Sequence, residues 1–149
     1  MGTLNLSSSV SVNQYNIFGP AFHTTKNNTQ SLTNDVWTKI AFDDESFDAT
    51  NEYDAVTNYR FLPSVAGYYI ASITLNCTST DFLVGIFRNG GEYVRGRNNY
   101  QQATVTQMVY LNGTTDYIEP YGYVTSTGQI SSGAAAENQF SAALIRPVP

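Results

Sequence analysis

A regular alternation of apolar and polar residues in the middle of the chain predicts a long β-strand that begins at Gly67. Every second side chain on one face is apolar, and this set is Tyr69, Ala71, Ile73 and Leu75. The other face is mixed and carries Tyr68, Ile70, Ser72 and Thr74. Because successive side chains of a strand point to opposite faces, we expect one buried face and one half-exposed face. Such a strand belongs in the middle of a β-sandwich.

Pro63 and Gly67 predict a corner in front of this strand. Proline lacks an N–H and cannot sit inside a paired strand, so the strand that contains Arg60 and Phe61 should end there. Glycine permits a turn or a close approach that a Cβ would obstruct. Residues 60–71 therefore indicate a strand end, a corner and the start of the central strand.

Further strand-like segments are separated by turn residues, and none of them has a helical pattern. The predicted strands cover residues 36–42, 82–87, 93–97, 103–111, 116–124 and 139–146. Residues 19–35 are polar with a predicted loop over residues 24–29, and further loops are predicted over residues 43–54 and 125–137. Asn89-Gly90 predicts a two-residue hairpin turn, and Pro120 predicts an edge strand or a bulge. Seven or eight strands with such turns predict an all-β jelly-roll β-sandwich. Its core should include Tyr69, Ile73, Phe87 and Phe140.

The first 19 residues differ from the rest and predict an extended N-terminal arm. They are rich in Ser and Asn and alternate weakly at four apolar positions, Leu4, Leu6, Val10 and Val12. Such an arm either stays disordered or forms a strand against a neighbouring chain, and its strand-like content favours the neighbour. We therefore divide the chain into the arm, residues 1–19, and one jelly-roll domain, residues 20–149.

Charge and composition argue against several classes of partner. Only 13% of the residues are charged, the chain has 11 tyrosines, and its formal net charge is −5. The seven Lys and Arg residues are scattered, so we expect no nucleic-acid partner. No apolar run approaches the ~20 residues of a membrane span, and the N-terminus lacks the pattern of a secretory signal, so we expect no membrane partner. Low charge with many tyrosines favours protein contact.

The candidate chemistry of the chain is sparse. Cys77 and His23 are the single cysteine and histidine, and nothing in the sequence pairs them, so Cys77 is expected to be a buried thiol. Residues 43–54 hold half of the carboxylates; they form either a calcium-binding loop or a solvated acidic loop, and their spacing does not match an EF-hand. We therefore predict no catalytic residue, no metal and no cofactor, and we do not expect an enzyme.

One group of residues resembles a known family. Phe61, Gly67 six positions later and Tyr69 two positions beyond it resemble the aromatic–Pro–Gly–x–Tyr signature of the complement C1q globular heads, which share the tumour-necrosis-factor jelly roll. The match extends over residues 36–146 and also includes Phe42-Asp43, Tyr53-Asp54, Thr57, Phe140-Ser141 and Leu144-Ile145. Unlike the animal proteins, the chain has no collagen-like Gly-X-Y stalk.

The local amino-acid sequence is more similar to that of jelly-roll domains in bacteriophage structural proteins, which occur in fibres, tails and head decorations. It is clearest in residues 37–39, 60–69 and 110–117. Membership of this family implies a homotrimer with aromatic and aliphatic residues along the three-fold axis. The candidates for the trimer interface are Tyr68, Tyr110, Tyr121 and Tyr123, although each could equally line the monomer's own sandwich.

The resemblance implies a non-enzymatic virion structural protein. We expect a trimeric capsid decoration (cement) protein of a bacteriophage, assembled in the host cytoplasm and displayed on the virion, whose arm contacts the major capsid protein or another virion protein. The alternative is a tip domain of a tail or head fibre that binds a receptor or host-surface glycan through Asn98, Asn99 and Tyr100. A spore-surface or adhesin component is a third interpretation that the sequence does not separate from these.

Overall fold

The computed structural model describes residues 19–26, 28–97, 100–131 and 136–148, and within these ranges the chain forms thirteen β-strands and no helix. The predicted all-β architecture is confirmed. The arm candidates Leu4, Leu6, Val10 and Val12 lie outside the described residues. The strands are β1 Ala21–Thr25, β2 Gln30–Leu32, β3 Thr38–Lys39, β4 Asp44–Asp48, β5 Tyr53–Asp54, β6 Arg60–Phe61, β7 Gly67–Asn76, β8 Phe82–Arg88, β9 Gly91–Arg97, β10 Gln102–Leu111, β11 Ile118–Val124, β12 Gly128–Ile130 and β13 Gln139–Pro147.

Two antiparallel sheets face each other and form a sandwich. The first sheet has the strand order β10-β7-β13-β1-β4, and the second has the order β5-β6-β11-β8-β9, with β3 also paired to β11. Strands β2 and β12 form a separate two-stranded ribbon. The β10 edge of the first sheet lies beside β8 and β9 of the second. Strand β7 lies between β10 and β13, in the interior position that its alternation predicts.

The core lies between the sheets and is largely aromatic. The predicted inward face of β7 is confirmed, since Tyr69, Ala71, Ile73 and Leu75 have no exposed surface and Tyr68 on the opposite face is exposed. Phe22 is the centre of an aromatic cluster whose ring-centroid distances are 4.6 Å to Tyr53, 4.7 Å to Phe61 and 5.0 Å to Phe140. Rings in this range of distances attract each other beyond their buried area.

Gly67, at the corner before β7, is required for steric reasons. A Cβ on Gly67 would come within 2.6 Å of both the Arg146 carbonyl oxygen and Leu144 Cδ1. The Tyr69 hydroxyl donates a hydrogen bond of 2.7 Å to the Val65 carbonyl and fixes the chain that enters the strand. The predicted hairpin is also present, because Asn89 and Gly90 have φ values of 54° and 79° between β8 and β9.

Three segments predicted as loops contain strand residues, so these predictions were wrong. The loop predicted over residues 24–29 begins inside β1, residues 43–54 hold β4 and β5, and residues 125–137 hold β12. The polar stretch over residues 19–35 holds β1 and β2. In β1 the polar residues Thr24 and Thr25 are buried, and their hydroxyls donate to the Asp44 carbonyl and carboxylate at 3.1 Å each. Hydrogen bonds to β4 thus satisfy these buried hydroxyls, and β1 forms although its sequence has no regular apolar alternation.

The strand predicted over residues 36–42 is reduced to β3. Ile40 is fully buried, but Val36 is 50% exposed rather than on the same buried side.

The prediction that Pro120 marks an edge strand or a bulge was wrong. Pro120 lies in β11, which has neighbouring strands on both sides. The Pro120 carbonyl accepts a 2.9 Å hydrogen bond from the Ile40 N–H. The N and O of one residue point to the same side, so proline has no N–H to continue this ladder. Pairing with β3 therefore ends at Lys39.

Candidate self-association surface

On the outward side of the first sheet, the four adjacent strands β10, β7, β13 and β1 present a surface without Lys, Arg, Asp or Glu, and the acidic edge strand β4 borders it. We define this uncharged face by residues of four adjacent strands. They are Ala21 and His23 of β1, Ser141 and Ala143 of β13, Tyr68, Ile70, Ser72 and Thr74 of β7, and Thr104, Thr106, Met108 and Tyr110 of β10. Arg146, which pairs with Tyr68 after a bulge in β13, marks its border.

The uncharged face has an apolar half and a hydroxyl half. In the apolar half the rings of Tyr68 and Tyr110 are 5.6 Å apart, and Met108, which pairs with Ile70, is 49% exposed. In the hydroxyl half the side-chain oxygens pair across the strands, at 2.7 Å between Ser72 and Thr106 and at 3.0 Å between Thr74 and Thr104. The hydroxyls thus have partners within the monomer, which lowers the cost of covering them. Exposed apolar surface of this kind is typical of protein contact sites.

A shallow depression of about 290 Å³ lies on this face and is lined by residues of β7, β13, β1 and β4. Its lining includes the small pair Ala21 and Ala143, which lie opposite each other, and the larger Ile70 and Phe47. His23 packs almost parallel to Phe47, with ring centroids 6.1 Å apart and its Nε2 3.4 Å from the Gln139 Oε1. The depression is open and mostly apolar, so it can receive a protruding apolar side chain.

The structure separates the four tyrosines that were predicted at a trimer interface. Tyr68 and Tyr110 lie together on the uncharged face, whereas Tyr121 and Tyr123 lie on the outward side of the second sheet. Tyr121 stacks on Phe87 with centroids 4.1 Å apart, and burial raises its pKa. One interface on the first sheet can therefore include only the first two. The interface role itself remains a prediction.

The residues of the family signature belong to the scaffold. Phe61, Tyr69 and Phe140 are fully buried between the sheets. Phe87 is also buried, but it packs on the outer side of the second sheet against Trp37, with centroids 5.2 Å apart, and not in the predicted core. Gly85 allows this, because the Trp37 ring lies 3.0 Å from where its Cβ would be.

The acidic segment uses its carboxylates for local structure. Asp54 accepts hydrogen bonds from the N–H groups of Thr57 at 2.8 Å, Val56 at 3.0 Å and Asn58 at 3.1 Å. The Thr57 N–H makes the largest contribution, and together these bonds lower the pKa of Asp54 to about 2. Among the described residues, no group of three or more His, Cys, Asp and Glu side chains could hold a metal ion.

The remaining candidate residues are Cys77 and the loop that contains Tyr100. Cys77 is buried, as predicted, and burial raises the pKa of its thiol. Tyr100 is 78% exposed, while Asn98 and Asn99 of the same predicted glycan loop lie outside the described residues. No helix in the described ranges is long and apolar enough to cross a membrane.

Sequence reasoning missed most of the residues that form the uncharged face. Met108 and Ile70 share the outward parity of the two predicted tyrosines, and this parity was the available signal. His23 was missed because it lies in a polar stretch for which no strand was predicted, and Phe47 was missed because it lies in the segment predicted as an acidic loop. Ala143 lies in a correctly predicted strand, but nothing in the sequence shows that this strand pairs with both β1 and β7.

Comparison with solved structures shows a C1q/tumour-necrosis-factor-like fold. The globular domain of zebrafish complement 1qA matches with a TM-score of 0.65 and 14% identity, over 87% of this chain and 99% of that one. Murine APRIL at pH 5.0 matches with a TM-score of 0.64, 11% identity and coverages of 85% and 99%. Eiger TNF from S. frugiperda matches with a TM-score of 0.64, 6% identity and coverages of 89% and 94%. No protein-family model and no curated protein matches the sequence.

Proposed function

We propose that the protein is a non-enzymatic virion structural protein, a homotrimeric capsid decoration (cement) protein of a bacteriophage. The observation that supports self-association is the uncharged face, a broad sheet surface with exposed Tyr68, Met108 and Tyr110 and no charge inside its border. Leaving such a surface open to water is unfavourable, and covering it with a second copy removes apolar area at little electrostatic cost. The decoration role is proposed from the resemblance to jelly-roll domains of bacteriophage structural proteins.

The resemblance to the C1q globular heads and the position of this face support a trimer. A closed ring needs a surface that meets a different surface of the next copy, because a self-complementary patch would give only a dimer. The depression beside Ala21 and Ala143 receives a side chain, and Met108 and Tyr110 on the β10 edge supply protruding ones. Repeating this contact three times closes the ring.

The arm provides the contact with the particle. In sequence the arm, residues 1–19, precedes Pro20 and β1 of the first sheet. Leu4, Leu6, Val10 and Val12 supply apolar side chains to a neighbouring capsid subunit by strand addition. Three arms on one trimer multiply a weak single contact by avidity. In this proposal the protein is assembled in the host cytoplasm and displayed on the surface of the virion.

Binding to purified expanded capsids, measured by co-sedimentation, tests this function. We expect the full-length trimer to bind and a chain lacking residues 2–16 to fail. Two full-length double variants then show which part of the arm is the anchor. One combines Leu4→Ser with Leu6→Ser, and the other combines Val10→Ser with Val12→Ser. Undiminished binding by the shortened chain would rule out the arm as the anchor. Absence of binding by the full-length protein would overturn the decoration function.

A receptor- or glycan-binding tip domain of a phage tail or head fibre is the second candidate function. It is favoured by Tyr100, which is 78% exposed in the connection between β9 and β10. An exposed tyrosine offers an apolar ring and a hydroxyl to a ligand. Adsorption of the purified protein to host cells, lost on Tyr100→Ala, would support this function. Capsid binding without adsorption would count against it.

A further inference from the structure

The outward side of the second sheet carries a cluster of aromatic and charged side chains that the proposed function does not use. We call it the Trp37 surface and define it by Asp35, Trp37, Asp81, Arg97 and Tyr123. Trp37 and Tyr123 are partly exposed, and their ring centroids are 5.5 Å apart with the ring planes inclined by 51°. The polar residues are exposed, with 53% of the Asp81 side chain and 72% of the Arg97 side chain open to solvent.

The strand register brings these residues together. Leu83 of β8 pairs with Tyr123 of β11 on one side and with Arg97 of β9 on the other. Adjacent strands are about 4.8 Å apart, so Tyr123 and Arg97 lie roughly 10 Å from each other across a single partly buried leucine. This distance is comparable to the length of one or two sugar rings. Trp37 covers Gly85, the next outward position of β8.

Hydrogen bonds hold the polar groups at the edge of the aromatic rings. The Tyr123 hydroxyl donates to Asp35 Oδ1 at 3.0 Å, and this bond raises the pKa of Tyr123, which therefore stays a donor. The Thr125 hydroxyl donates to Asp81 Oδ2 at 3.0 Å. The Arg97 Nη2 lies 3.6 Å from Asp81 Oδ1, beyond ordinary hydrogen-bond distance, so this solvent-exposed pair contributes little and can open to a ligand.

We propose that the Trp37 surface binds a saccharide, with one face of a sugar ring packed on Trp37, its edge against the inclined ring of Tyr123, and its hydroxyls on Asp35, Asp81 and Arg97. A pyranose has apolar C–H faces that pack on aromatic rings and hydroxyls that both donate and accept. Carboxylates accept hydrogen bonds and guanidinium donates them, so the surface offers both roles beside an aromatic platform. Polyanions fit poorly because of the two carboxylates, and a purely apolar partner would bury exposed charges.

This site is independent of the trimer and of capsid attachment, because those use the first sheet and the arm. It is also distinct from the loop around Tyr100. A protein that loses self-association can still bind the saccharide, and a protein that binds no saccharide can still form a trimer. The two proposals therefore fail separately.

Tryptophan fluorescence tests the site directly, since Trp37 is the single tryptophan of the chain. The probes are chitotriose, cellohexaose and maltohexaose in solution, together with an array of immobilised host-surface and bacterial glycans. We expect a saturable change in emission with at least one soluble probe or array hit, with half-saturation at or below about 1 mM. Arg97→Ala and Asp81→Asn should each weaken binding about tenfold or more while the circular dichroism spectrum is unchanged.

Arg146→Ala is the matched control, because this exposed arginine lies on the first sheet and should leave saccharide binding as in the wild type. Trp37→Phe keeps a ring over Gly85 but removes the tryptophan fluorescence, so its saccharide binding is measured on the array. We expect a lower array signal than for the wild type. Absence of any response to the soluble probes and the array would overturn the proposal. Binding that is unchanged in both Arg97→Ala and Asp81→Asn would also overturn it.

Discussion

Truncating Phe140 tests whether the aromatic cluster between the sheets holds the fold. Phe140 has no exposed surface and pairs through β13 with Ile73 of the central strand. Its ring contacts Phe22 with centroids 5.0 Å apart, and Phe42 and Tyr53 at 6.0 Å each. Phe140→Ala removes these contacts and leaves a cavity that the strands on both sides cannot close. We expect a loss of roughly 3–5 kcal/mol in the free energy of unfolding.

The assay is equilibrium unfolding in urea, followed by circular dichroism at one fixed protein concentration because association stabilises the folded state. For a chain of this size, each kcal/mol lowers Tm by roughly 3 °C, so Tm should fall by about 9–15 °C. Phe140→Leu keeps part of the volume and should give an intermediate loss. Val56→Ala, at a site that is 81% exposed, is the surface control and should stay within about 0.5 kcal/mol of the wild type. A loss below about 1 kcal/mol for Phe140→Ala would refute the assigned packing.

Three further substitutions test local features by the same urea assay. Gly67→Ala should cost roughly 1–3 kcal/mol, because its Cβ meets the Arg146 carbonyl; wild-type stability would contradict this. Asp116→Ala removes the acceptor for Arg88 Nη2 and Asn89 Nδ2, both at 2.7 Å, and should cost roughly 2–3 kcal/mol; a loss under 1 kcal/mol would argue against that network. Asp54→Asn should be less stable than the wild type at neutral pH. Since the folded pKa of Asp54 lies below its ordinary 3.8, this difference should disappear as pH falls from about 4 to 2, and a constant difference would exclude the assigned hydrogen bonds.

The long strands could be predicted because their own side chains determine their facing. In β7, alternation alone identifies the buried face, and the structure agrees at Tyr69, Ile73 and the exposed Tyr68. The Asn89-Gly90 turn could be predicted for a similar reason, since only residues that tolerate positive φ form it. In both cases the information is local to the segment.

The short strands could not be predicted because their stability depends on partners far away in the sequence. Thr24 and Thr25 are buried, and their hydroxyls find an acceptor in Asp44, which is about 20 residues away in the sequence. Strand β4 is almost entirely exposed, and the backbone of β1 keeps it extended. An acidic, polar segment of this kind has the composition of a loop, and hydropathy alone does not distinguish the two.

The candidate surface could be predicted only in part for the same physical reason. The sequence indicates that Tyr68 and Tyr110 face outward in their strands, but their 5.6 Å contact depends on the pairing of β7 with β10. Tyr121 and Tyr123 show the same local pattern and lie on the other sheet. Their separation from the uncharged face follows from topology, which alternation does not encode.

The mass of the native particle tests the central proposal, self-association through the uncharged face, most directly. By native mass spectrometry at micromolar concentration, we expect three times the chain mass of 16.4 kDa for the wild type. Met108→Glu places a charge inside the contact and should give the single-chain mass, because burying an unpaired charge costs several kcal/mol. Val56→Glu is the exposed control and should keep the trimer. A wild type at 16.4 kDa, or a Met108→Glu variant at the trimer mass, would contradict the proposal.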